Sequence, residues 1–188
     1  KTLEEAVEVV QAIDHVTTVV VGEGEHKIDG DYLIDGDLLR IESAINIVGD
    51  PKVAKENIVV VGGIKFEEGI RGNCHLQHLT LRQAKTNGVG GESSFTMDDV
   101  LVEQCGNDGV WAQGTGVVGR CTNVEVRQCA ASGVVALLDA SIILIGAKTT
   151  VHHNCTIESS DDYGLAVFYG SSSTIQLVSP LAKEQVSL

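Results

Sequence analysis

The stretch that decides the fold is Val100–Ala112, VLVEQCGNDGVWA, because it recurs as VEVRQCAASGVVA at Val124–Ala136. Equivalent residues of these two copies are 24 positions apart. A third copy, LTLRQAKTNGVGG at Leu79–Gly91, begins 21 residues before the first, and a fourth runs from Thr150 to Val167 around a longer loop. Self-similarity at a period of a few tens of residues indicates a solenoid, in which each repeat stacks on the next.

Each copy opens with alternating apolar residues, as expected of a β-strand with one buried face. The apolar pairs are Leu79/Leu81, Val100/Val102 and Val124/Val126. Four further columns follow along each coil: charged residues pointing outward (Arg82, Glu103, Arg127 and His153), amides (Gln83, Gln104, Gln128 and Asn154), small residues (Ala84, Cys105, Cys129 and Cys155) and glycines (Gly88, Gly109, Gly133 and Gly164). Amides stacked at a strand spacing of about 4.8 Å can bond to one another. The glycine column predicts a corner with positive φ.

These columns predict an all-β chain, a right-handed parallel β-helix of about six or seven coils in a single domain, residues 1–188. Leucine-rich repeats have a similar period but require regular Leu and a helical segment in each unit, which this sequence lacks. Strand-like sequence also occurs at Leu38–Val48, Ile58–Phe66, Ile142–Ile145 and Ile175–Val178. The coils are predicted to occupy residues 18–188.

A capping helix is predicted within residues 1–17. Leu3, Val7 and Val10 fall on one helical face, and Thr2 with Glu5 has the spacing of a capping box. Such a helix would cover the open end of the solenoid, where unpaired strand edges and apolar core are otherwise exposed.

A family resemblance rests on the first coils and the repeat. VVVGEG at Val19–Gly24, the segment Leu38–Gly49 ending in Ile-Val-Gly, and the Val-x-Val-x-Gln/Asn-Cys…Gly-Val coils resemble the pectin-lyase-like superfamily of right-handed β-helices. The resemblance covers nearly the whole chain. It implies the fold but no single activity, since this scaffold hosts lyases, hydrolases, epimerases and proteins without known activity.

Charge and hydropathy exclude several classes of partner. With 26 acidic and 13 basic residues, the formal net charge is −13, which disfavours nucleic acid and anionic membrane surfaces. No apolar run reaches the roughly 20 residues of a membrane-spanning helix. The remaining partners are carbohydrate or another protein subunit.

The catalytic candidates are His78, Asp98, Asp99, Glu103 and Arg127. Neighbouring coils place His78 beside Asp99, a pairing that suits general acid–base chemistry or a plain surface ion pair. Glu103 between two arginines reads either as an acid flanked by a clamp for sugar carboxylates or as a charge ladder between stacked strands.

The binding candidates are Trp111, Asp161 and Asp162. Trp111 is expected to point outward between two inward residues, as a sugar platform or contact surface. Asp161 and Asp162, with Glu158, lie in the loop TIESSDDY at Thr156–Tyr163, which either holds Ca²⁺ or is solvated.

No other metal and no cofactor is predicted. His75 and His78 are about three coils from His152 and His153, and adjacent strand residues such as His152 and His153 point to opposite faces. The register of this strand stays open: strict alignment turns His152 inward, whereas a shift of one residue would bury Val151 and His153. The five cysteines, an odd number without a CxxC pair, are predicted to be free core thiols, although stacked Cys105 and Cys129 could approach a disulfide geometry.

Two functions follow. The favoured one is a non-catalytic β-helix scaffold that serves as a structural, assembly or carbohydrate-contact module. The alternative is a polysaccharide lyase or glycoside hydrolase of the pectin-lyase-like type. An outer wall on which Glu103 bridges both arginines would favour the first.

Overall fold

The computed structural model describes residues 1–13, 17–29, 37–157, 162–170 and 172–186. In this part of the chain, three parallel sheets of seven, six and six strands surround one core. Each strand pairs with the equivalent strands of the preceding and following coils, so strands adjacent in sequence lie in different sheets. The chain is therefore a parallel β-solenoid, as predicted.

We name the sheets A, B and C in the order in which the chain first visits them. Sheet A contains Thr18–Val21, Ile45–Gly49, Cys74–Gln77, Phe95–Asp98, Val118–Thr122, Ser141–Ile145 and Thr174–Val178. Sheet B contains Gly24–Lys27, Ile58–Val61, Thr80–Arg82, Leu101–Glu103, Glu125–Arg127 and Thr150–His152. Sheet C contains Leu38–Ile41, Gly63–Phe66, Val89–Gly91, Val110–Gln113, Val134–Leu137 and Leu165–Phe168.

The solenoid makes about five turns, counted between the first and last strands of a six-stranded sheet. The predicted six or seven coils were slightly too many. The strands of one sheet are in register across coils, for example Leu81 with Val102 and Val102 with Val126. This register lets one side chain per coil fill each layer of the core.

One α-helix, Leu3–Ala12, packs against the first strand of sheet A. The Thr2 hydroxyl accepts from the Glu5 amide and the Glu5 carboxylate accepts from the Thr2 amide, which completes the predicted capping box. Short 3₁₀ turns occur at Lys55–Asn57 and Lys183–Val186. Among the described residues, no helix has the length and apolar character needed to cross a membrane.

The predicted inward columns form the core. Leu79, Leu81, Val100, Val102, Val124 and Val126 are all fully buried. Phe66 and Phe95 stack within the same core, with ring centroids 5.7 Å apart. Because each layer is only one side chain thick per sheet, the core is a continuous stack of apolar layers.

The glycine column was assigned the wrong cause. Its members do not adopt positive φ; instead, a Cβ on Gly109 would lie 2.4 Å from Val126 Cγ1 and 2.7 Å from the Gly133 carbonyl oxygen. Positive φ occurs at two other corners, occupied by His78, Asp99 and Asn123 and by Gln83, Gln104, Gln128 and His153. The glycine column therefore marks where adjacent coils approach most closely, whereas the left-handed turns lie at other corners, which polar residues occupy in most coils and Gly62 and Gly146 in two others.

The last sheet B coil is shifted by one residue from the predicted alignment. Val151 pairs with Val126 and is buried, and His152 pairs with Arg127 on the outer face. His153 consequently takes the corner position of the amide column. Asn154, not Cys155, follows Cys129 in the small-residue column, where its Oδ1 accepts from the Cys129 amide at 3.0 Å.

Candidate functional site

An ion-pair ladder runs along the outer face of sheet B. Glu103 lies between Arg82 and Arg127 of the neighbouring coils, in register with both. Its Oε1 accepts from Arg82 Nε at 2.6 Å, and its Oε2 accepts from Arg127 Nε at 2.9 Å and Nη2 at 2.8 Å. Arg127 Nη1 also donates to Glu125 Oε1 at 2.8 Å. Both carboxylate oxygens of Glu103 are thus occupied.

The environment of Glu103 keeps it ionised. Its side chain is only 5% exposed, and burial by itself raises the carboxyl pKa, but hydrogen bonds from Arg127 and Arg82 outweigh burial and hold the pKa below its usual value. The same contact with Glu103 raises the pKa of Arg127. A carboxylate with a lowered pKa and two occupied oxygens is a poor proton donor and a weak base at neutral pH.

A second group forms where sheet A turns into sheet B. His78 Nδ1 lies 2.7 Å from Asp99 Oδ2, and its Nε2 lies 2.8 Å from the Val53 carbonyl oxygen. Lys55 Nζ donates to Asp99 Oδ1 at 2.6 Å. The Lys55 carbonyl oxygen accepts from Thr80 Oγ1 at 3.0 Å. These contacts attach the connection that contains Val53 and Lys55 to the corner.

Both ring nitrogens of His78 face acceptors, a geometry that favours the doubly protonated imidazolium. The contact with the Val53 carbonyl, followed by that with Asp99, raises the pKa of His78. Burial alone would raise the pKa of Asp99, but Lys55 and His78 lower it overall. His78 and Asp99 therefore both carry a charge, and their ion pair also anchors the connection that contains Val53 and Lys55.

The five catalytic candidates lie in two hydrogen-bonded groups and one separate position. His78 and Asp99 meet at the corner, and Glu103 and Arg127 meet on the sheet B face. Asp98 ends a strand of sheet A, where it pairs in register with Gln77 and Thr122. The structure thus brings His78 to Asp99 and Glu103 to Arg127, as predicted, but the two pairs do not form one cluster.

Trp111 lies on the outer face of sheet C, as its position between Val110 and Ala112 predicts, but it is not exposed. Only 8% of its surface is accessible. Its indole covers Gly90 of the preceding coil so closely that a Cβ there would lie 2.3 Å from the ring, and it packs with Val135 and Ala166. Trp111 therefore forms a small apolar cluster outside the main core, and the expected sugar platform is absent at this residue.

Asp161 lies outside the described residues, as does Glu158. Asp162 is described and half-buried. Its negative charge, after the larger effect of burial, contributes to raising the pKa of Asp108 to about 6.

Asp108 belongs to a column that the sequence analysis missed. Three successive coils have an Asn, Asp or Ser just before the corner glycine: Asn87 Oδ1 accepts from the Asp108 amide, Asp108 Oδ1 from the Ser132 amide, and Ser132 Oγ from the Tyr163 amide, at 3.0 to 3.1 Å. The recurrence of Asn, Asp or Ser before Gly was the available signal. These side chains satisfy backbone donors of the next coil.

The outer face of sheet A carries a further polar column, formed in register by Thr18, Asn46, His75, Thr96 and Arg120. His75 Nδ1 lies 2.6 Å from Thr96 Oγ1, and Asn46 donates to Thr18 at 3.3 Å. A shallow cavity of about 220 Å³ beside this column is lined by Gly72, Asn73, Cys74, Ser94, Phe95, Thr96, Val118 and Arg120. The cavity offers hydroxyl, amide and guanidinium groups over an apolar floor.

The cysteines are free thiols, four of them buried and Cys155 half-buried. Burial raises the pKa of Cys121 to about 12, so this thiol stays protonated. Within the ranges that the structure describes, no three or more His, Cys, Asp or Glu side chains are grouped to hold a metal ion.

Comparison with known proteins gives one structural likeness. No family model matches the chain, and no curated protein matches it. Among solved structures, the A-module of the Azotobacter vinelandii mannuronan C-5 epimerase AlgE4 is similar, with a TM-score of 0.43 and 13% identity over 93% of this chain and 71% of that one.

Proposed function

We propose that this chain is a non-catalytic β-helix scaffold that acts as a carbohydrate-contact module. The proposal rests on Glu103, both of whose carboxylate oxygens accept hydrogen bonds from arginines. Its two oxygens are bound by Arg82 and Arg127, so this acid supports the stacking of three coils instead of facing a substrate. Asp99 is engaged in the same way, by Lys55 on one oxygen and His78 on the other.

The outer face of sheet A supports the contact role. Parallel, in-register strands repeat donors and acceptors at about 4.8 Å along the axis, a regular array suited to an extended polymer. The cavity beside Thr96 and Arg120 adds an apolar floor with polar groups at its rim, the usual composition of a small-molecule site. Arg120 is exposed, and its guanidinium can donate to hydroxyl or carboxylate groups of a sugar.

A second candidate function is that of a polysaccharide lyase or glycosidase of the pectin-lyase-like type. The 2.7 Å contact between His78 and Asp99 favours it, because a His–carboxylate pair at this distance is a common acid–base unit.

A screen of neutral and acidic polysaccharides, with and without Ca²⁺, tests both. We expect binding without release of new reducing or unsaturated ends. Arg120→Ala should weaken that binding at least several-fold, whereas Lys148→Ala, which removes an exposed cation from a loop away from the cavity, should not. Product that appears with the unmodified chain and disappears in Asp99→Ala would instead establish the enzyme. A chain that binds none of the polymers would contradict the contact role.

A further inference from the structure

His152 and His153 project to the same side of the solenoid. Consecutive residues of a strand normally point to opposite faces, but the strand Thr150–His152 ends there and His153 adopts φ of +53°. This left-handed turn breaks the alternation. The two Nδ1 atoms consequently lie 2.6 Å apart, with the rings at 83° to one another. The expectation that these residues face opposite ways was therefore wrong.

Glu125 is the hydrogen-bond partner of the outer ring nitrogen of His152. Its Oε1 lies 3.3 Å from His152 Nε2 and itself accepts from Arg127 Nη1 at 2.8 Å. When Nε2 carries the proton and donates to this carboxylate, Nδ1 of His152 accepts from the Nδ1–H of His153 at 2.6 Å, and a metal ion that binds both Nδ1 atoms replaces that proton. A carboxylate behind a histidine is the arrangement that orients metal-ligating imidazoles in proteins.

We propose that the Nδ1 atoms of His152 and His153 form a two-nitrogen site for Cu²⁺ and, more weakly, Ni²⁺, with solvent in the remaining positions. Metal–nitrogen bonds of about 2.0 Å place cis nitrogens of a square or octahedral complex about 2.8 Å apart, whereas tetrahedral geometry needs about 3.3 Å. The observed separation of 2.6 Å is close to the first value. Divalent metals at nitrogen sites bind in an order that peaks at Cu²⁺.

The surrounding charges cancel and therefore do not repel a cation. Arg127 is the nearby basic side chain, and it is paired with both Glu103 and Glu125, so its charge is offset. His153 is exposed and His152 half-buried, which leaves the two nitrogens accessible to an ion in solution. The site does not use the corner at His78 or the cavity on sheet A, so it is independent of the proposed function.

The test uses the whole chain and Cu²⁺ alone. Titration in the presence of a weak competitor such as glycine, followed by electron paramagnetic resonance, should show one Cu²⁺ coupled to two imidazole nitrogens. His152→Gln and His153→Gln should each weaken binding at least tenfold and reduce the coupling to one nitrogen. His26→Gln, which removes a histidine on an early coil, should change neither. Circular dichroism and thermal unfolding verify that each variant is folded.

Glu125 is a positioning residue, and the conservative replacement distinguishes orientation from general damage. Glu125→Gln keeps an acceptor oxygen and should retain most of the affinity, whereas Glu125→Leu should lose about tenfold or more. Cu²⁺ binding with an unchanged two-nitrogen signal in the His152→Gln/His153→Gln double variant would overturn the proposal. Preference for Ca²⁺ or Mg²⁺ over Cu²⁺ would overturn it as well.

Discussion

Asp108 Oδ1 accepts a hydrogen bond from the Ser132 amide at 3.0 Å, although burial raises the pKa of this carboxyl to about 6. The Asp108 side chain therefore stabilises the fold as a hydrogen-bond acceptor, but its negative charge destabilises the fold. An amide oxygen in the same place can accept the same bond without the charge, and Asn87 does so one coil earlier.

We accordingly predict that Asp108→Asn stabilises the protein at neutral pH. The folded pKa lies above the ordinary value of 3.8, so the wild-type contribution is fully favourable below that value and is lost as pH rises through about 6. A shift of about two units corresponds to roughly 3 kcal/mol, and solvent screening at this half-buried site reduces the expected gain to about 1–2 kcal/mol. Urea unfolding at pH 7.5 and pH 4 measures it; a gain of equal size at both pH values would contradict the charge explanation.

Glu103→Gln is predicted to destabilise the fold at neutral pH by about 1–3 kcal/mol. The amide cannot offset the two guanidinium groups, and breaking a buried ion pair costs more than the pair contributes, here moderated by the partial exposure of Arg82 and Arg127.

The pH dependence distinguishes this variant from a simple packing defect. Because the folded pKa of Glu103 is lowered, its stabilisation is present above the ordinary value of 4.5 and is lost as pH falls through the folded value. The difference in unfolding free energy between wild type and Glu103→Gln, the gap, should become smaller at acidic pH. A gap that is constant from pH 7 to pH 3 would show that the charge is not responsible.

His78→Asn is predicted to release the connection that contains Val53 and Lys55. Asparagine tolerates the left-handed turn, as Asn123 does at the same corner, so the backbone is preserved while both ring contacts are lost. Tryptic cleavage after Lys52 or Lys55 should become faster in the variant. Leu79→Asn is not a suitable comparison because it is buried, whereas Gln77→Asn, half-buried and adjacent to His78, serves as the control.

In the wild type, release of the connection that contains Val53 and Lys55 should depend on pH. The pKa of His78 is raised in the fold, so the stabilising contacts of its charged form are complete below the ordinary value of 6.5 and are lost as pH rises through the folded value. Cleavage should accelerate above neutrality in the wild type and much less in His78→Asn. The imidazole titration, followed by nuclear magnetic resonance, gives the midpoint directly.

Much of this architecture is readable from the sequence because a solenoid repeats its contacts. The apolar pairs, the Glu103 ladder and the His78–Asp99 contact all follow from aligning copies that differ by 21 or 24 residues. The alignment leaves two registers open near the longer loop after Cys155. The structure adopts the one shifted by a residue, in which Val151 is buried, but His153 is exposed because the chain turns there. The burial of Trp111 was missed although the same alignment places Gly90 beside it, because the signal was the absence of a side chain in the neighbouring coil.

Gly109→Ala separates the two explanations of the glycine column. A methyl group 2.4 Å from Val126 Cγ1 and 2.7 Å from a carbonyl oxygen forces the coils apart, and overpacking of this kind costs about 1–3 kcal/mol or more. Gly22→Ala, where a Cβ meets nothing within 4 Å, should leave the unfolding free energy almost unchanged. Equal tolerance of both substitutions would show that close approach is not the reason for the column.

The alternation of Arg82, Glu103 and Arg127 also limits how such a protein can change its length. Duplicating the coil that begins at Val100 would place two copies of Glu103 side by side, and like charges directly opposite on neighbouring strands repel. Duplicating residues 79–123 instead would insert an arginine and a glutamate together and keep the signs alternating. The smallest increment of growth that preserves this wall is therefore a pair of coils, about 10 Å of rod, and internal duplication in such a chain should proceed in even steps.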